Sequence, residues 1–172
     1  STVLSLNRVN KTFYHDCAEE FSATRQSPWK GWRRLLQTVE QRVPETSRVS
    51  VLDVGCGNGR FAGFLRDNAQ FPFRYLGIDS SPAALAHGQS QQGDPQIFHF
   101  LRHDLVEAPP GNMLPAEARG PHFLVAAFGL LHHVPGESTR ESLLAEMAAS
   151  TKEGGILCLS VWQFALFERF RK

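Results

Sequence analysis

The sequence predicts an α/β fold built on one doubly wound, mostly parallel sheet with helices on both faces. Five short runs of branched apolar residues follow position 48, and several are apolar at nearly every position, as in strands covered on both faces. Segments of helical period alternate with these runs, which is typical of right-handed β–α–β crossovers. The length of 172 residues, with 42% hydrophobic and 20% charged residues, indicates a single folded core.

The elements of this core follow one another closely along the chain. Strands are predicted at 49–54, 73–78, 97–101, 123–128 and 156–161, and helices at 60–68, 82–91 and 138–151. Ser81 before Pro82 is a strong helix start, and Gly154-Gly155 is expected to end the last of these helices. The proline-rich loop 108–121 is long for a compact domain, so we interpret it as a lid or a mobile segment.

The first 48 residues form a second predicted unit, a helical cap. Helix-like stretches cover 13–23 and 29–43 and are separated by Ser27-Pro28. Because these stretches precede the first strand, they cannot be crossovers of the sheet. We therefore divide the chain into a cap, 1–48, and a core, 49–172.

Charge and cysteine content narrow the function classes. The 18 basic residues nearly cancel the 17 acidic ones, so any nucleic-acid binding needs a local patch. Lys30, Arg33 and Arg34 beside two tryptophans are one candidate, and a solvated helix face with the rings turned inward is the alternative that we favour. No membrane span or secretory signal is visible, and 3 widely spaced cysteines favour a reduced, cytoplasmic compartment.

A glycine loop follows the first strand and is the most informative segment. Gly55, Gly57 and Gly59 separate the strand from a helix, so the backbone can turn tightly and present its amides to a ligand. Arg60 stands where the dinucleotide fingerprint has its third glycine. Asp53 would repel a pyrophosphate but attract an ammonium group. A zwitterionic ligand without phosphates therefore fits better than NAD, and a turn that serves packing alone is the alternative.

Acidic residues also end the next two strands. Asp79-Ser80 lies 20 residues after Gly59, where folds of this kind hold ribose hydroxyls. Asp104-Leu105 offers a polar group with an apolar neighbour, as an adenine ring needs. The strand ends thus predict one extended nucleoside site.

These segments, together with 126–133, resemble the cofactor motifs of the class I S-adenosylmethionine-dependent methyltransferases, which have a Rossmann-like fold. The resemblance implies that the glycine loop approaches the methionine part of S-adenosylmethionine, with Asp53 near its amine. It implies ribose at Asp79 and the adenine amino group at Asp104. It also implies seven strands, so the last two are expected to follow Lys172. The implied cofactor-binding residues are Asp53, Gly55, Cys56, Gly57, Gly59, Asp79, Ser80, Asp104, Leu105 and Phe128.

The N-terminal segment resembles one branch of that family, the tRNA wobble-uridine carboxymethyl methyltransferases. The similarity lies in Tyr14 and Asp16, the series Phe21-Ser22-Ala23-Thr24-Arg25, Pro28-Trp29, Leu131-His132-His133, Arg140 and Val161-Trp162. It implies methyl ester formation on a 5-carboxymethyluridine. The chain departs from the pattern at His15, Lys30 and 134–136. A small-molecule carboxylate, hydroxyl or amine is therefore an alternative acceptor, and a non-catalytic S-adenosylmethionine-binding partner subunit is a second alternative. An activating partner protein is also compatible with the sequence.

Four side chains are candidates for catalysis, namely Tyr14, Arg25, His132 and His133, and four for substrate binding, namely Arg25, Trp29, His132 and Trp162. Arg25 can hold a carboxylate by a bidentate pair and Trp29 can stack on a base; helix capping and core packing are the respective alternatives. The paired histidines are expected to point in opposite directions, one of them lining the acceptor pocket. That one can act as a base for a hydroxyl or amine. No ligand set for a metal is complete around them.

Overall fold

The computed structural model describes residues 2–16 (14–16 by their backbone alone), 27–43 and 47–162. Two helices precede the sheet, and strands and helices then alternate. The elements are α1 (Thr2–Asp16), α2 (Lys30–Glu40), β1 (Val49–Val54), α3 (Arg60–Asn68), β2 (Phe73–Asp79), α4 (Pro82–Gln92), β3 (Phe98–Arg102), β4 (His122–Phe128), α5 (Glu137–Ala149) and β5 (Thr151–Ser160). The predicted α/β fold is confirmed.

The five strands form one parallel sheet in the order β3-β2-β1-β4-β5. In the middle of the sheet Val51 lies between Tyr75 of β2 and Leu124 of β4. The order reverses direction at β1, since the chain builds outward through β2 and β3 and then returns to add β4 and β5. Such a switch point opens a crevice at the carboxyl ends of the strands, where open α/β sheets bind their ligands.

Two apolar layers cover the sheet. On one face Trp32 and Leu36 of α2 pack with Phe61 of α3 against the strands, and on the other Leu143 and Met147 of α5 do so. Helix α2 is therefore part of the core. Its charged residues Lys30, Arg33 and Arg34 are exposed while the Trp32 ring is buried, in agreement with the solvated-face interpretation.

Helix boundaries differ from the predictions at both ends of the chain. Helix α1 begins at Thr2 and not at residue 13, and the rest of the predicted stretch 17–23 lies outside the described residues. The Gly154-Gly155 pair does not end α5, because that helix ends at Ala149 and β5 begins at Thr151.

The glycine pair serves a strand irregularity instead. The register between β4 and β5 shifts between His122 and Leu124. A Cβ on Gly155 would lie 2.8 Å from the carbonyl oxygens of both Lys152 and Phe123, so the irregularity requires a residue without a side chain.

The loop 108–121 is packed against the body, so its interpretation as a lid is wrong. Met113 and Leu114 are fully buried. Their backbone amides donate to the two carboxylate oxygens of Glu146 on α5, at 3.0 and 2.9 Å. Among the helices of the described ranges, none combines the length and the apolar character that a membrane span needs.

Candidate functional site

The glycine loop connects β1 to α3 and needs its three glycines for different reasons. All three have left-handed φ values, 74° at Gly55, 56° at Gly57 and 74° at Gly59. A Cβ on Gly59 would crowd the Phe100 ring at 3.0 Å and the Cα atom of Gly88 at 3.1 Å, whereas a Cβ on Gly57 would meet nothing within 4 Å. Gly59 therefore serves packing, and Gly57 borders open space beside the loop.

Asp79 ties the end of β2 to this loop. Its Oδ2 accepts a hydrogen bond from the Gly57 amide and its Oδ1 one from the Ser81 amide, both at 2.9 Å. Burial raises the pKa of Asp79, and the backbone donors oppose that rise. Because an ionised carboxylate has about four acceptor positions, oxygen lone pairs remain for ligand hydroxyls. Ser80 is half-buried beside it, at the start of the turn to α4.

Asp53, at the end of β1, is a buried acid with one satisfied oxygen. Its Oδ2 accepts a 2.6 Å hydrogen bond from the Tyr75 hydroxyl. Its Oδ1 is buried and has no donor among the described residues. Burial raises the pKa of Asp53 to about 7, although the Tyr75 hydroxyl and the charge of Arg60 act in the opposite direction. The site thus contains a buried carboxyl group, ionised or protonated, at the end of the strand that leads into the glycine loop.

Asp104, after β3, is bound by α1 as well as by its own loop. Lys11 forms an ion pair with Oδ2, Asn7 Nδ2 donates to both oxygens at 3.3 Å, and the Val106 amide donates to Oδ1 at 2.9 Å. Burial raises the pKa of Asp104, but these donors, with Lys11 first, outweigh it and leave the pKa lowered. Leu105 beside it is buried in the core.

Cys56 and Phe128, the remaining predicted cofactor residues, are packed side chains. Burial raises the pKa of the Cys56 thiol well above its ordinary value, so the side chain is a neutral packing group. The Phe128 ring is half-buried in an aromatic cluster, 4.8 Å from the Phe61 ring centroid and 5.4 Å from that of Trp32. Any contact between these two residues and a cofactor stays a prediction.

Aromatic side chains from distant parts of the chain converge at the end of β4. A Cβ on Gly129 would lie 3.2 Å from Cη2 of Trp29, 3.4 Å from Nε1 of Trp162 and 3.7 Å from Cε1 of His132. The next residue, Leu130, packs against Gly55: a Cβ added to Gly55 would lie 2.8 Å from Cδ1 of Leu130. We call Trp29, Gly129, His132 and Trp162 the aromatic end of the site. It adjoins the glycine loop through Leu130.

The paired histidines do not point in opposite directions. Residues Leu131–His133 form a 3₁₀ turn and not an extended strand end, and the centroids of the His132 and His133 rings are 3.8 Å apart. The His132 ring also meets the Trp162 ring edge to face at 5.9 Å. In the described ranges, no group of three or more His, Cys, Asp or Glu side chains is placed to hold a metal ion.

Arg25 and the side chain of Tyr14 lie outside the described residues. A different cation occupies the neighbourhood of the aromatic end. The guanidinium carbon of Arg60 lies 5.3 Å from the Trp29 ring centroid and 5.2 Å from that of Trp32. Such stacking fixes the position of the guanidinium group.

Sequence reasoning missed Tyr75 and the residues of α1. Tyr75 is paired in register with Val51, so it shares a face with Asp53 two residues further along. A tyrosine within an apolar strand, beside the strand that carries a buried acid, is the signal that identifies this pair. For Asn7 and Lys11 no comparable signal exists, because their partners Asp104 and Glu107 lie about a hundred residues away.

This geometry agrees with the comparisons to known proteins. A family described as a methyltransferase domain matches residues 51–155. The chain belongs to that family. Its membership confirms the predicted class, the S-adenosylmethionine-dependent methyltransferases, and with it the cofactor of the class.

Two curated proteins are similar to this chain in sequence. A protein of Encephalitozoon cuniculi that bears the name of a methyltransferase is 32% identical over 150 residues, which are 87% of this chain and 60% of that protein. The tRNA (carboxymethyluridine(34)-5-O)-methyltransferase of Xenopus tropicalis is 28% identical over 173 residues, which are 100% of this chain and 23% of that protein. The chain thus spans only part of the relatives that it matches.

Solved structures agree with the fold. An S-adenosylmethionine-dependent methyltransferase of Thiobacillus denitrificans, in complex with S-adenosyl-L-homocysteine, aligns with a TM-score of 0.54 at 20% identity over 78% of this chain and 49% of that one. A chain from the Haloferax volcanii complex of the Trm112 methyltransferase activator and a methyltransferase aligns with a TM-score of 0.51 at 22% identity, covering 74% and 53% of the two chains.

The described residues fit S-adenosylmethionine on their own chemistry. Asp53 offers a buried oxygen without a donor, which suits an ammonium group, and Gly57 leaves space beside its loop. Asp79 retains acceptor positions for ribose hydroxyls. Asp104 is less accessible to the adenine amino group, because Lys11 and Asn7 already contact both of its carboxylate oxygens. Its predicted contact with adenine therefore requires sharing with α1.

Proposed function

We propose that this domain methylates the carboxylate of a carboxymethyl group on a tRNA wobble uridine. The observation that carries the proposal is the aromatic end, where Trp29, His132 and Trp162 converge on Gly129 next to the glycine loop. A planar base can stack between such rings, at about 1–3 kcal/mol for each base. The tRNA methyltransferase of Xenopus tropicalis, similar over the whole chain, supports this acceptor.

The proposed chemistry asks little of protein acids and bases. When bound, S-adenosylmethionine supplies a methyl group on a positively charged sulfur. A carboxylate with a pKa near 4 is already ionised at neutral pH, so it needs no general base. The task of the protein is then to hold the carboxylate in line and to exclude water. We assign the alignment to the aromatic end, with Arg25 as the predicted partner of the carboxylate and His132 or His133 as the base for another acceptor.

Within this proposal, the exposed basic residues of α2 are the candidates for contact with RNA beyond the base, although their exposure agrees equally with a solvated helix face. Lys30, Arg33 and Arg34 are exposed on the helix that also carries the Trp32 ring into the core. Their charges can meet phosphates close to the stacked base. The activator named in the Haloferax volcanii complex supports including an activating partner protein in the assay. We propose the cytoplasm as the compartment, in keeping with the free thiols of Cys56 and Cys158.

The test measures product on tRNA. The protein, with and without a candidate activator, is incubated with S-adenosylmethionine and tRNA that carries 5-carboxymethyluridine, and the nucleosides are analysed by mass spectrometry. We expect the methyl ester to form. A Trp162→Ala variant should lower the yield about ten-fold or more at limiting tRNA, because one stacking wall is lost. Leu157→Ala, which removes an exposed apolar side chain of β5, the strand that precedes Trp162, is the matched control.

Two other outcomes contradict the proposal. Methylation of a small carboxylate, hydroxyl or amine without any tRNA product would identify a metabolite methyltransferase. Binding of S-adenosylmethionine without transfer to tRNA or to any extract component, with the activator present, would identify a non-catalytic partner subunit.

A further inference from the structure

The Asp53–Tyr75 pair is the most unusual polar contact of the core. Asp53 is 2% exposed and Tyr75 is 1% exposed, and their 2.6 Å hydrogen bond joins the middle of β2 to the end of β1. A buried carboxylate is normally satisfied at both oxygens, since an unpaired buried charge is costly. Here Oδ1 has no donor among the described residues. Oδ1 can therefore still accept a hydrogen bond from one further cation or donor.

Among the described residues, the groups around Asp53 do not supply that cation. From β2 it is faced by the Tyr75 hydroxyl and the Asp79 carboxylate, from α3 by the Arg60 guanidinium and from the loop by the Cys56 thiol. Arg60 is the only cation among these neighbours, and it lies over the rings of α2 and its N-terminal flank without a hydrogen bond to Asp53 among the described contacts. The negative charge of Asp79 adds to the cost of ionising Asp53.

We propose that Tyr75 is a positioning residue whose hydroxyl holds Asp53 so that one carboxylate oxygen stays available to the ammonium group of the cofactor. A second part of the proposal is that cofactor binding makes Asp53 release a proton. This inference rests on the proposed function, because it takes S-adenosylmethionine as the ligand. Since the carboxylate is buried, its charge acts strongly on an ammonium at the glycine loop, even without direct contact.

The direction of the pH dependence follows from the ionisation of Asp53. Burial raises the pKa of this acid to about 7, so a large part of it is protonated in the free protein at neutral pH. Only the ionised form attracts an ammonium group. Affinity should therefore increase as the pH rises through the pKa of Asp53 and level off above it. Removing the Tyr75 hydroxyl takes away a group that lowers this pKa, and so should move the increase to higher pH.

A merely structural hydroxyl would behave differently. It would affect all ligands of the site alike and at every pH. Two probes separate these cases: S-adenosylhomocysteine has the ammonium group, and 5′-methylthioadenosine keeps the nucleoside and the thioether but lacks the amino-acid part. We expect Tyr75→Phe to weaken S-adenosylhomocysteine about ten-fold near pH 7, as the loss of a charge-assisted hydrogen bond predicts, and to leave 5′-methylthioadenosine within about two-fold.

The experiment is calorimetric titration of the whole chain with both probes between about pH 6 and pH 8.5, in buffers of different ionisation enthalpy. The wild type should release a fraction of a proton on binding S-adenosylhomocysteine and none on binding 5′-methylthioadenosine. Asp53→Asn should abolish the release, and Tyr75→Phe should have no further effect in that background. Ser50→Ala is the matched control, because it removes a different hydroxyl of the same sheet, one on β1 that bonds to His122 at 2.8 Å.

The chain has only 2 tyrosines, Tyr14 and Tyr75, which allows a second measurement if Tyr75→Phe does not fold. Replacing tyrosine by 3-fluorotyrosine in a Tyr14→Phe background gives Tyr75 a more acidic hydroxyl. The affinity profile for S-adenosylhomocysteine should then move to lower pH. Equal losses for both probes, an unchanged profile or no proton release would overturn the inference. Failure of the wild type to bind either probe would instead contradict the proposed function.

Discussion

The two ends of the site are built by different physical means. At the glycine loop, backbone amides and buried acids hold one another, as in the bond from the Gly57 amide to Asp79. At the aromatic end, half-exposed rings meet across a single glycine, Gly129, and Trp162 is 44% exposed. The first end is closed by short polar contacts within 27 residues of chain, 53–79. The second is assembled from segments more than a hundred residues apart.

We propose that this difference separates recognition of the cofactor from recognition of the acceptor. Backbone amides and fixed acids hold a ligand in one geometry, because their positions are set by the loop and the strand ends. Half-exposed rings contribute contact area without a fixed hydrogen-bonding pattern, so small changes there alter what is accepted. Substitutions at the glycine loop should therefore affect stability and cofactor binding, whereas those at the aromatic end should affect the acceptor alone.

The largest effect is expected for Gly59→Ala. A left-handed φ costs about 1–2 kcal/mol for any residue with a Cβ, and crowding against Phe100 and the Gly88 backbone adds about 1–3 kcal/mol. Denaturant unfolding should show a loss of about 3 kcal/mol.

Gly57→Ala is the paired variant, with the same left-handed strain but no atom within 4 Å of the new Cβ. It should unfold with a loss of only about 1 kcal/mol, while its methyl group, in the open space beside the loop, weakens S-adenosylhomocysteine by about ten-fold or more. Equal stability losses for the two variants would remove the distinction between a packing glycine and a cofactor glycine.

Asp53→Asn tests whether the buried charge of ionised Asp53 destabilises the folded protein. The pKa of Asp53 is about 7 in the folded state against an ordinary 3.8, so the folded protein binds the additional proton between these values and loses stability as the pH rises through that window. The variant lacks this loss. Its Tm should match that of the wild type near pH 5 and exceed it by roughly 5 °C near pH 8.

Asp67→Asn is the control for that comparison. Asp67 is exposed and its pKa is lowered by its bond to Arg66, so its small contribution to stability has the opposite pH dependence. A Tm difference for Asp53→Asn that does not grow between pH 5 and pH 8 would show that burial does not penalise the ionised acid.

Much of the fold and of the glycine-loop end could be predicted because those features are local. The bounds of β1 and α3 agree with the predicted 49–54 and 60–68, since a continuous apolar run and a glycine turn define them within a few residues. Asp79 likewise follows from its strand end. The glycine spacing and the acids favoured a zwitterionic ligand without phosphates, and the resemblance of these segments to the class I methyltransferases implied S-adenosylmethionine.

The remaining features depend on contacts that no local pattern encodes. The β5 irregularity places Gly154-Gly155 inside a strand because of its partner β4, whereas the pair alone is typical of a helix end. The 3₁₀ turn at His132 and His133 brings together rings that an extended chain would separate. The Asp53–Tyr75 bond arises from the register between two strands. The first and third of these features depend on a neighbouring strand, and the second depends on a turn that the apolar and polar pattern does not specify.

A smaller effect, confined to the acceptor, is expected for Gly129→Ala. The new Cβ would stand 3.2 Å from Trp29 and 3.4 Å from Trp162, with left-handed strain at φ 65°. The rings must shift by a few tenths of an ångström, which should raise KM for the acceptor several-fold and leave the Kd of S-adenosylhomocysteine unchanged. Gly111→Ala, with φ 83° and open space around it, controls for the strain. If the Kd of S-adenosylhomocysteine rose together with the KM for the acceptor, the aromatic end and the glycine-loop end would not act independently.

The smallest effect is expected for Lys11→Ala, which tests how α1 is attached to the loop after β3 that carries Asp104. Lys11 pairs with Asp104 and, at 2.7 Å, with Glu107, but it is 38% exposed, so solvent screens the pairs and the variant should lose only about 0.5 kcal/mol. The loss should shrink at high ionic strength.

Arg66→Ala removes the exposed pair with Asp67 inside a single helix and should change nothing between α1 and the body. If the ion pair of Lys11 with Asp104 holds α1 to the body, hydrogen exchange of the α1 amides should increase in Lys11→Ala and not in Arg66→Ala. Unchanged exchange would assign the attachment to Asn7 and to the bond from Asn10 to the His133 carbonyl oxygen, because these contacts persist in both variants.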